Sequence, residues 1–227
     1  MIDTHTHILP GIDDGAKDIN QSVQMLAESY RQGVDICIST SHCKLHDEHS
    51  LNEFLVKREN SYNILCDGVK GIEVPQIILG AEVYLDNDIS RYKDIEKLCI
   101  QGTKYILVEF GRNMSVDMLS EWLYNLNLKG FIPIIAHIDR YGMRNEMIKE
   151  FEGLTLVYQV NNSEVLTIFG RRFLKKLAHC TVVMGSDMHN TTTRPGDMKK
   201  AYSVMSKKMP KAVDLLYKEN PKHILGK

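Results

Sequence analysis

Residues 1–15 read Met1-Ile-Asp-Thr-His-Thr-His-Ile-Leu-Pro-Gly-Ile-Asp-Asp-Gly15. The run Ile2 to Ile8 predicts a short β-strand, and because side chains alternate across a strand, His5 and His7 project from one face, with Asp3 one step earlier. Pro10 and Gly11 stop the strand and turn the chain, so that Asp13 and Asp14 fold back toward the histidines before Gly15 ends the turn. Neutral imidazole beside carboxylate is a donor set for a divalent transition metal. A His-x-His pair alone is equally compatible with two ordinary surface or core histidines. What the remaining chain places near it therefore decides the reading.

Beyond this stretch, helices and strands alternate. Ile19 to Gln32 has apolar residues at Val23, Leu26, Ala27 and Tyr30, the spacing of an amphipathic helix, and Gly33 stops it. A strand follows over Val34 to Thr40. The same alternation predicts helix Leu51 to Leu65 with strand Gln76 to Ala81, and a helical segment Ile89 to Leu98 with strand Tyr105 to Val108. It continues with helix Val116 to Leu128 and strand Ile132 to Ala136, then helix Asn145 to Phe151 and strand Thr155 to Val160. Helix Glu164 to Ala178 and strand Thr181 to Met184 come next, and the tail is helical over Met198 to Met209 and Ala212 to Glu219. Short, continuously apolar strands separated by helices are buried parallel strands with helical crossovers. Their even spacing over 227 residues favours one α/β domain, residues 1–227, folded as a closed or nearly closed TIM-like barrel.

The charge balance, 28 Lys and Arg against 29 Asp and Glu, argues against wholesale binding to nucleic acid or to an anionic membrane. No apolar run is long enough to span a bilayer, so neither membrane insertion nor export is expected and the reading is cytoplasmic. Cys37, Cys43, Cys66, Cys99 and Cys180 are odd in number and scattered, which suggests neither a disulfide framework nor a zinc ribbon. They read as reduced thiols, Cys43 as a small buried residue. Basic clusters such as Arg171-Arg172 and Lys207-Lys208 read as solvated helix faces. His46, His49, His179 and His223 lie away from strand ends and read as surface residues.

The remaining His, Asp and Glu fall at the carboxyl ends of the predicted strands. Strand one ends in His5 and His7, strand two in Ser41-His42, strand three in Gly80-Ala81-Glu82, strand four in Glu109, strand five in His137, and the last in Gly185-Ser-Asp187-Met-His189. In parallel barrels these ends share the face that carries active sites, so groups spread over 185 positions are expected to converge. Five histidines (His5, His7, His42, His137, His189) and four carboxylates (Asp14, Glu82, Glu109, Asp187) exceed what one ion uses and suit two or three, with a carboxylate such as Glu82 bridging. Imidazole with many carboxylate oxygens and no thiolate fits manganese best, with iron or zinc possible. Arg140 and Arg194 lie in loops just past proposed ligands, where a guanidinium fork matches phosphate oxygens; Arg112 is a weaker third.

The motifs His-Thr-His-Ile-Leu-Pro-Gly-Ile-Asp-Asp-Gly, Ser-His, Gly-Ala-Glu, Val-Glu-Phe, His-Ile-Asp-Arg-Tyr and Gly-Ser-Asp-Met-His-Asn-Thr-x-x-Arg-Pro together resemble the polymerase and histidinol phosphatase (PHP) superfamily. Within it they are most similar to the manganese-dependent bacterial protein-tyrosine phosphatases of capsular and extracellular polysaccharide synthesis. The resemblance implies a distorted (β/α)7 barrel with a trinuclear site. One ion would take His5, His7, Glu82 and Asp187, a second Glu82, Glu109 and His137, and a third Asp14, His42 and His189, with Arg140 and Arg194 binding substrate. It also implies a phosphotyrosine protein as substrate, an autophosphorylating tyrosine kinase that controls polysaccharide polymerisation. Where the family often has His-Pro-Glu-Arg-Tyr this chain has His137-Ile-Asp-Arg-Tyr, and its Gln-x-Asn-x-Gly-Ser segment appears as Gln159-Val-Asn161-Asn-Ser. No ligand is lost.

The expected reaction is phosphomonoester hydrolysis at a metal centre. No cysteine is followed six residues later by arginine, so a covalent Cys-x5-Arg route is absent. The rival within the superfamily is a small-molecule phosphatase, for instance one acting on histidinol phosphate, which the ligand set barely separates. A metal-dependent amidohydrolase and a phosphotyrosine-binding adaptor without turnover fit the pattern less well.

Overall fold

The computed structural model describes residues 1–111 and 114–227; Arg112 lies outside the described residues. Nine strands form two parallel sheets. The first contains β1 (Ile2–Thr6), β2 (Ile36–Ser39) and β4 (Gln76–Leu79) in the order β1-β2-β4. The second contains β3 (His42–Lys44), β5 (Glu82–Leu85), β6 (Tyr105–Phe110), β7 (Ile132–Ile135), β8 (Val157–Asn161) and β9 (Val182–Gly185), paired in sequence order.

Strands β3 and β5 continue β2 and β4 past breaks at Thr40-Ser41 and Gly80-Ala81, so the nine segments fill seven strand positions. Backbone bonds carry the pairing over the breaks: Thr40 N donates to Thr6 O (2.8 Å), Gly80 N to Ser39 O (2.8 Å) and Glu82 N to Ser41 O (3.0 Å). Between β9 and β1 the join is a seam. Asp187 N donates to His5 O (2.8 Å), His7 N donates to Met188 O (2.9 Å), and Thr6 bridges Met188. The arrangement is the expected distorted (β/α)7 barrel type. The expected strands end at Thr40 and Ala81, so β3 and β5 continue two strand positions beyond the sequence reading: His42–Lys44 and Glu82–Leu85 are short and open on a polar residue, which leaves no apolar period to read.

Helices α1 (Ile19–Arg31), α2 (Glu48–Gly68), α3 (Val116–Leu128), α4 (Arg144–Glu150), α5 (Asn162–Val165), α6 (Ile168–Lys176) and α7 (Met198–Lys208) connect or follow the strands, and α8 (Asn220–Ile224) is near the C-terminus. Asp18 caps α1 by accepting from Gln21 N. A reciprocal capping box of Asp47 and Ser50 starts α2 earlier than its apolar spacing indicates. Two expected helices are broken. Ile89 to Leu98 forms two 3-10 turns, because Asp88 caps the first and Tyr92 turns extended. Glu164 to Ala178 divides at Thr167, whose hydroxyl accepts from Gly170 N (2.8 Å) and starts α6 afresh. In the tail, the expected helix over Ala212 to Glu219 is present from Val213, widens to a π-helical segment over Leu215–Glu219 and runs on into α8.

One apolar cluster gathers residues from all seven strand positions: Ile2, Ile38, Ile78, Leu107, Ile134, Val157 and Val183. Leu107 and Glu109, like Val157 and Gln159, share a side of their strand two residues apart, so the polar ends stand one step above an apolar floor. Gly185 lets the seam close: a Cβ there would lie 2.7 Å from His5 Cβ and 2.8 Å from Gln159 Nε2. Gly185→Ala is expected to destabilise the fold by about 1–3 kcal/mol. For a chain of this size that lowers the melting midpoint by about 2–4 °C per kcal/mol, as read by differential scanning calorimetry; an unchanged midpoint would contradict the close approach.

Candidate metal centre

His5 and His7 meet at their Nε2 atoms, 3.1 Å apart. Each ring is oriented from behind: His5 Nδ1 donates to Gln159 Oε1 (3.1 Å) and His7 Nδ1 donates to Asp13 Oδ2 (2.8 Å). With Nδ1 carrying the proton, both Nε2 lone pairs face inward. They face carboxylates. His5 Nε2 lies 3.1 Å from Glu82 Oε2 and 3.6 Å from Asp187 Oδ1, and His7 Nε2 lies 3.3 Å and 3.4 Å from the same two oxygens. Four acceptor atoms this close repel unless a cation lies among them. Glu82 Oε2 and His189 Nε2, both buried, lack a hydrogen-bond partner of good geometry, as expected of atoms committed to a cation.

The remaining expected ligands surround this group. His42 Nδ1 is 3.1 Å from both Glu82 Oε2 and Glu109 Oε1, while His137 Nε2 is 2.9 Å from Glu82 Oε1 and 3.5 Å from Glu109 Oε2. On the other side Asp14 Oδ1 lies 3.2 Å from His189 Nε2 and 3.4 Å from His42 Nε2. Ligand atoms within 4.8 Å of one another form three groups: His5, His7 and Asp187; His42, Glu82 and Glu109; and His7, Asp14, His42 and His189. All nine expected side chains thus converge. The grouping differs from the one the resemblance implies: His7 also joins the Asp14 group, Glu82 falls outside the His5, His7 and Asp187 group, and His42 turns one ring nitrogen to each of two groups, standing with Glu82 and Glu109 where His137 was expected.

Two candidates sit on strained backbone. His137 and Asp187 have φ of 30° and 53°, a region disfavoured for side chains with a Cβ. His137 N is held by Gln159 Oε1 (2.6 Å), and Asp187 N by His5 O. Gln159, fully buried, therefore fixes two candidate ligands from different strands. Sequence reasoning assigned it no role, although a Gln inside the buried run Val157 to Val160 was a signal that something polar needed it. Asp3, missed likewise, accepts from Ser186 N (2.8 Å) and locks the loop before Asp187.

Both expected arginines border the group. Arg140, on a 3-10 turn after β7, and Arg194 (Nη2, 2.9 Å) both reach Asp187 Oδ2, and Arg194 Nη1 lies 3.7 Å from Asp14 Oδ2. Asn190 shapes the second loop, its Oδ1 accepting from the backbone N of Thr192, Thr193 and Arg194. A cavity of about 290 Å³, lined by Arg140, Asn161, Asn162, Ser186, Asp187 and Arg194, opens here. Larger cavities lie elsewhere, two of about 540 Å³ beside α2 and α4 and one of about 340 Å³ beside Lys208 to Ala212, and none holds a group of candidate ligands among the described residues.

Electrostatics match the geometry. Burial raises the cost of ionising Glu82, but the positive charge that protonated His5, His137 and His7 would carry beside it holds its carboxyl well below the usual range. Burial likewise works against charge on His137, yet hydrogen bonds to Glu109 and Glu82 lift it to about 9. His7 rises well above its ordinary value against its own burial, through Asp13, Asp187 and Glu82. The carboxylates demand positive charge, which protons or metal ions can supply.

Three comparisons bear on this arrangement. The model of the capsular polysaccharide synthesis CpsB/CapC family matches residues 1–226. The chain is 33% identical to the tyrosine-protein phosphatase CpsB of Streptococcus pneumoniae over 99% of its own length and 98% of the relative's. It is 30% identical to the tyrosine-protein phosphatase YwqE of Bacillus subtilis, over 99% and 91%. Among solved structures, one reported with the crystal structures of YwqE and CpsB, called metal-dependent tyrosine phosphatases, superposes at TM-score 0.70 with 24% identity over 100% of this chain and 92% of that one. A TatD-like protein of Archaeoglobus fulgidus shares the fold at TM-score 0.55 and 12% identity, over 100% of both chains.

Because His137 keeps its proton below about 9, metal loading displaces protons and must strengthen as pH rises. Titration of manganese from about pH 6 to about pH 8 is expected to show a falling Kd and heats that track buffer ionisation; a pH-independent Kd would refute ligation by these histidines. Gln159→Leu, which frees both His5 and the His137 loop, is expected to weaken metal binding about 10–100-fold in the same titration.

Proposed function

The chain belongs to the CpsB/CapC family of capsular polysaccharide synthesis, and on that premise we propose that residues 1–227 form one catalytic domain, a metal-dependent protein-tyrosine phosphatase holding manganese ions. The observation that carries the reading is the meeting of His5 Nε2, His7 Nε2, Glu82 Oε2 and Asp187 Oδ1 with two arginines at its edge. The donor set fits a divalent metal, since the atoms are imidazole nitrogens and carboxylate oxygens with no thiolate, and oxygen-rich sets suit manganese. Ligands are assigned as His5, His7, Asp14, His42, Glu82, Glu109, His137, Asp187 and His189. Bound there, divalent ions supply Lewis acidity, screening phosphoryl charge and lowering the pKa of water toward neutrality.

The chain's own residues do the rest. Asp187 directs Oδ1 to the two histidines and Oδ2 to Arg140 and Arg194, so one carboxylate sets the guanidinium pair against the metal cluster. Both arginines are about two-fifths exposed, open to a phosphate entering from the mouth. Their forks bind non-bridging oxygens and offset charge that grows as the P–O bond breaks. A phenolate leaving group, with pKa about 10, departs with less proton donation than an alkoxide, which favours aryl phosphates and phosphotyrosine. The substrate is a phosphotyrosine protein, and an autophosphorylating tyrosine kinase controlling polysaccharide polymerisation fits the family. No Cys-x5-Arg pattern is present in the sequence, and burial pushes the Cys43 and Cys99 thiols up to about 12.

EDTA is expected to abolish hydrolysis of p-nitrophenyl phosphate and manganese to restore it, while thiol alkylation leaves turnover largely intact. The opposite pattern would overturn the assignment. Arg194→Lys, which keeps the charge and removes the fork, is expected to lower kcat/KM by about 10–100-fold, or about 1.4–2.7 kcal/mol, with metal content unchanged.

A further inference from the structure

Positive charge is unevenly distributed. Ten of the chain's 28 Lys and Arg lie in residues 165–213, against two of its 29 Asp and Glu, Asp187 and Asp197. Most of that excess lies on two helices. Arg172, Lys175 and Lys176 on α6 are exposed and Arg171 is half-buried. Among the described residues, the ion pairs of residues 165–213 are confined to the candidate metal centre. None of the α6 cations meets a carboxylate among the described residues; Arg171 Nη1 donates only to Val165 O (2.6 Å).

The same helix begins with two apolar side chains in solvent, Ile168 at 61% and Phe169 at 77% exposure, while Phe173 and Leu174 one turn on are buried. Burial of those two leaves the outward stripe to Ile168, Arg172 and Lys175/Lys176, at helical spacing. At the far end of α6, Lys175 meets Lys208 and Lys211 around a slot of about 340 Å³ walled by Met209, Pro210 and Ala212. A second slot of about 230 Å³, floored by Leu174, Leu177 and Leu216, shares Lys175 and Lys211 with the first. Leu215, 43% exposed, stands at its edge.

We infer that this face, α6 with the Met209–Ala212 turn, docks peripherally on an anionic lipid surface, Ile168 and Phe169 entering the headgroup layer and the lysines engaging phosphates. An acidic peptide would need a groove with backbone partners, whereas here the cations splay over two elements and the apolar tips point outward. A planar array of mobile anions over an apolar layer complements that pattern. No helix of the described residues is long and apolar enough to cross a membrane, so the contact is one of surface only. The remaining 18 Lys and Arg against 27 Asp and Glu give the molecule a charge polarity that orients it. The inference does not depend on the phosphatase reading.

The test is co-sedimentation of the manganese-loaded protein with phosphatidylcholine vesicles containing about one-third phosphatidylglycerol, against phosphatidylcholine alone. Binding is expected only to the anionic vesicles and is lost in about 1 M salt, where the Debye length is about 3 Å. Each cation contributes about fivefold, so Arg172→Glu/Lys175→Glu/Lys208→Glu is expected to weaken binding at least about a hundredfold. Phe169→Ala is expected to weaken it about tenfold. Turnover of p-nitrophenyl phosphate and the melting midpoint of both variants stay at wild-type levels, which shows that they fold. Absence of wild-type sedimentation at low salt, or undiminished sedimentation of the triple variant, overturns the proposal. So does a triple variant whose only defect is a higher KM for an acidic phosphotyrosine peptide, which would assign the face to the substrate protein.

Discussion

Four atoms that each offer a lone pair, His5 Nε2, His7 Nε2, Glu82 Oε2 and Asp187 Oδ1, face one another with each nitrogen 3.1–3.6 Å from the oxygens. No arrangement of neutral hydrogen bonds satisfies them, because both imidazoles spend their Nδ1 protons elsewhere. Positive charge is the only remedy, and much of the surrounding architecture keeps the need for it in place. Gln159 and Asp13 hold the rings from behind, Asp3 holds the loop before Asp187, and an apolar floor of strand residues keeps water from relieving the repulsion below. The strained φ angles of His137 and Asp187 are tolerated because the same network fixes both peptide groups.

The arginine pair belongs to the same balance. Asp187 is shared between the histidine cluster and two guanidinium groups, and its carboxyl lies well below the usual range, the His5, His7 and Arg140 charges outweighing its burial. Anything anionic that enters the mouth competes with Asp187 for Arg140 and Arg194. A phosphate is suited to that competition, having more oxygens than the carboxylate.

Much of this was legible before any coordinates. The convergence of His5, His7, His42, Glu82, Glu109, His137, Asp187 and His189 follows from one rule, that residues just past parallel strands share a face, and the alternation of apolar runs is enough to apply it. Helix α3 was readable residue for residue because its apolar stripe and its boundaries coincide. The short strands β3 and β5 past Thr40-Ser41 and Gly80-Ala81 were not, since three or four residues opening on His42 or Glu82 carry too little apolar pattern to read as strand. The roles of Gln159 and Asp3 were also hidden: each acts through a partner more than a hundred positions away in sequence. The dual use of His42 was hidden because ring orientation is set by neighbours on two other strands.

The β9–β1 seam carries a further implication. It joins the first strand to the last, and across it His5 and His7 reach Asp187, about four-fifths of the chain away. A nascent polypeptide emerging from the ribosome therefore has His5, His7 and Glu82 well before Asp187 has been made. Partial translation products and C-terminally clipped fragments keep His5, His7 and Glu82 without their fourth partner. The cluster closes only once Asp187 has been made and packed across the seam.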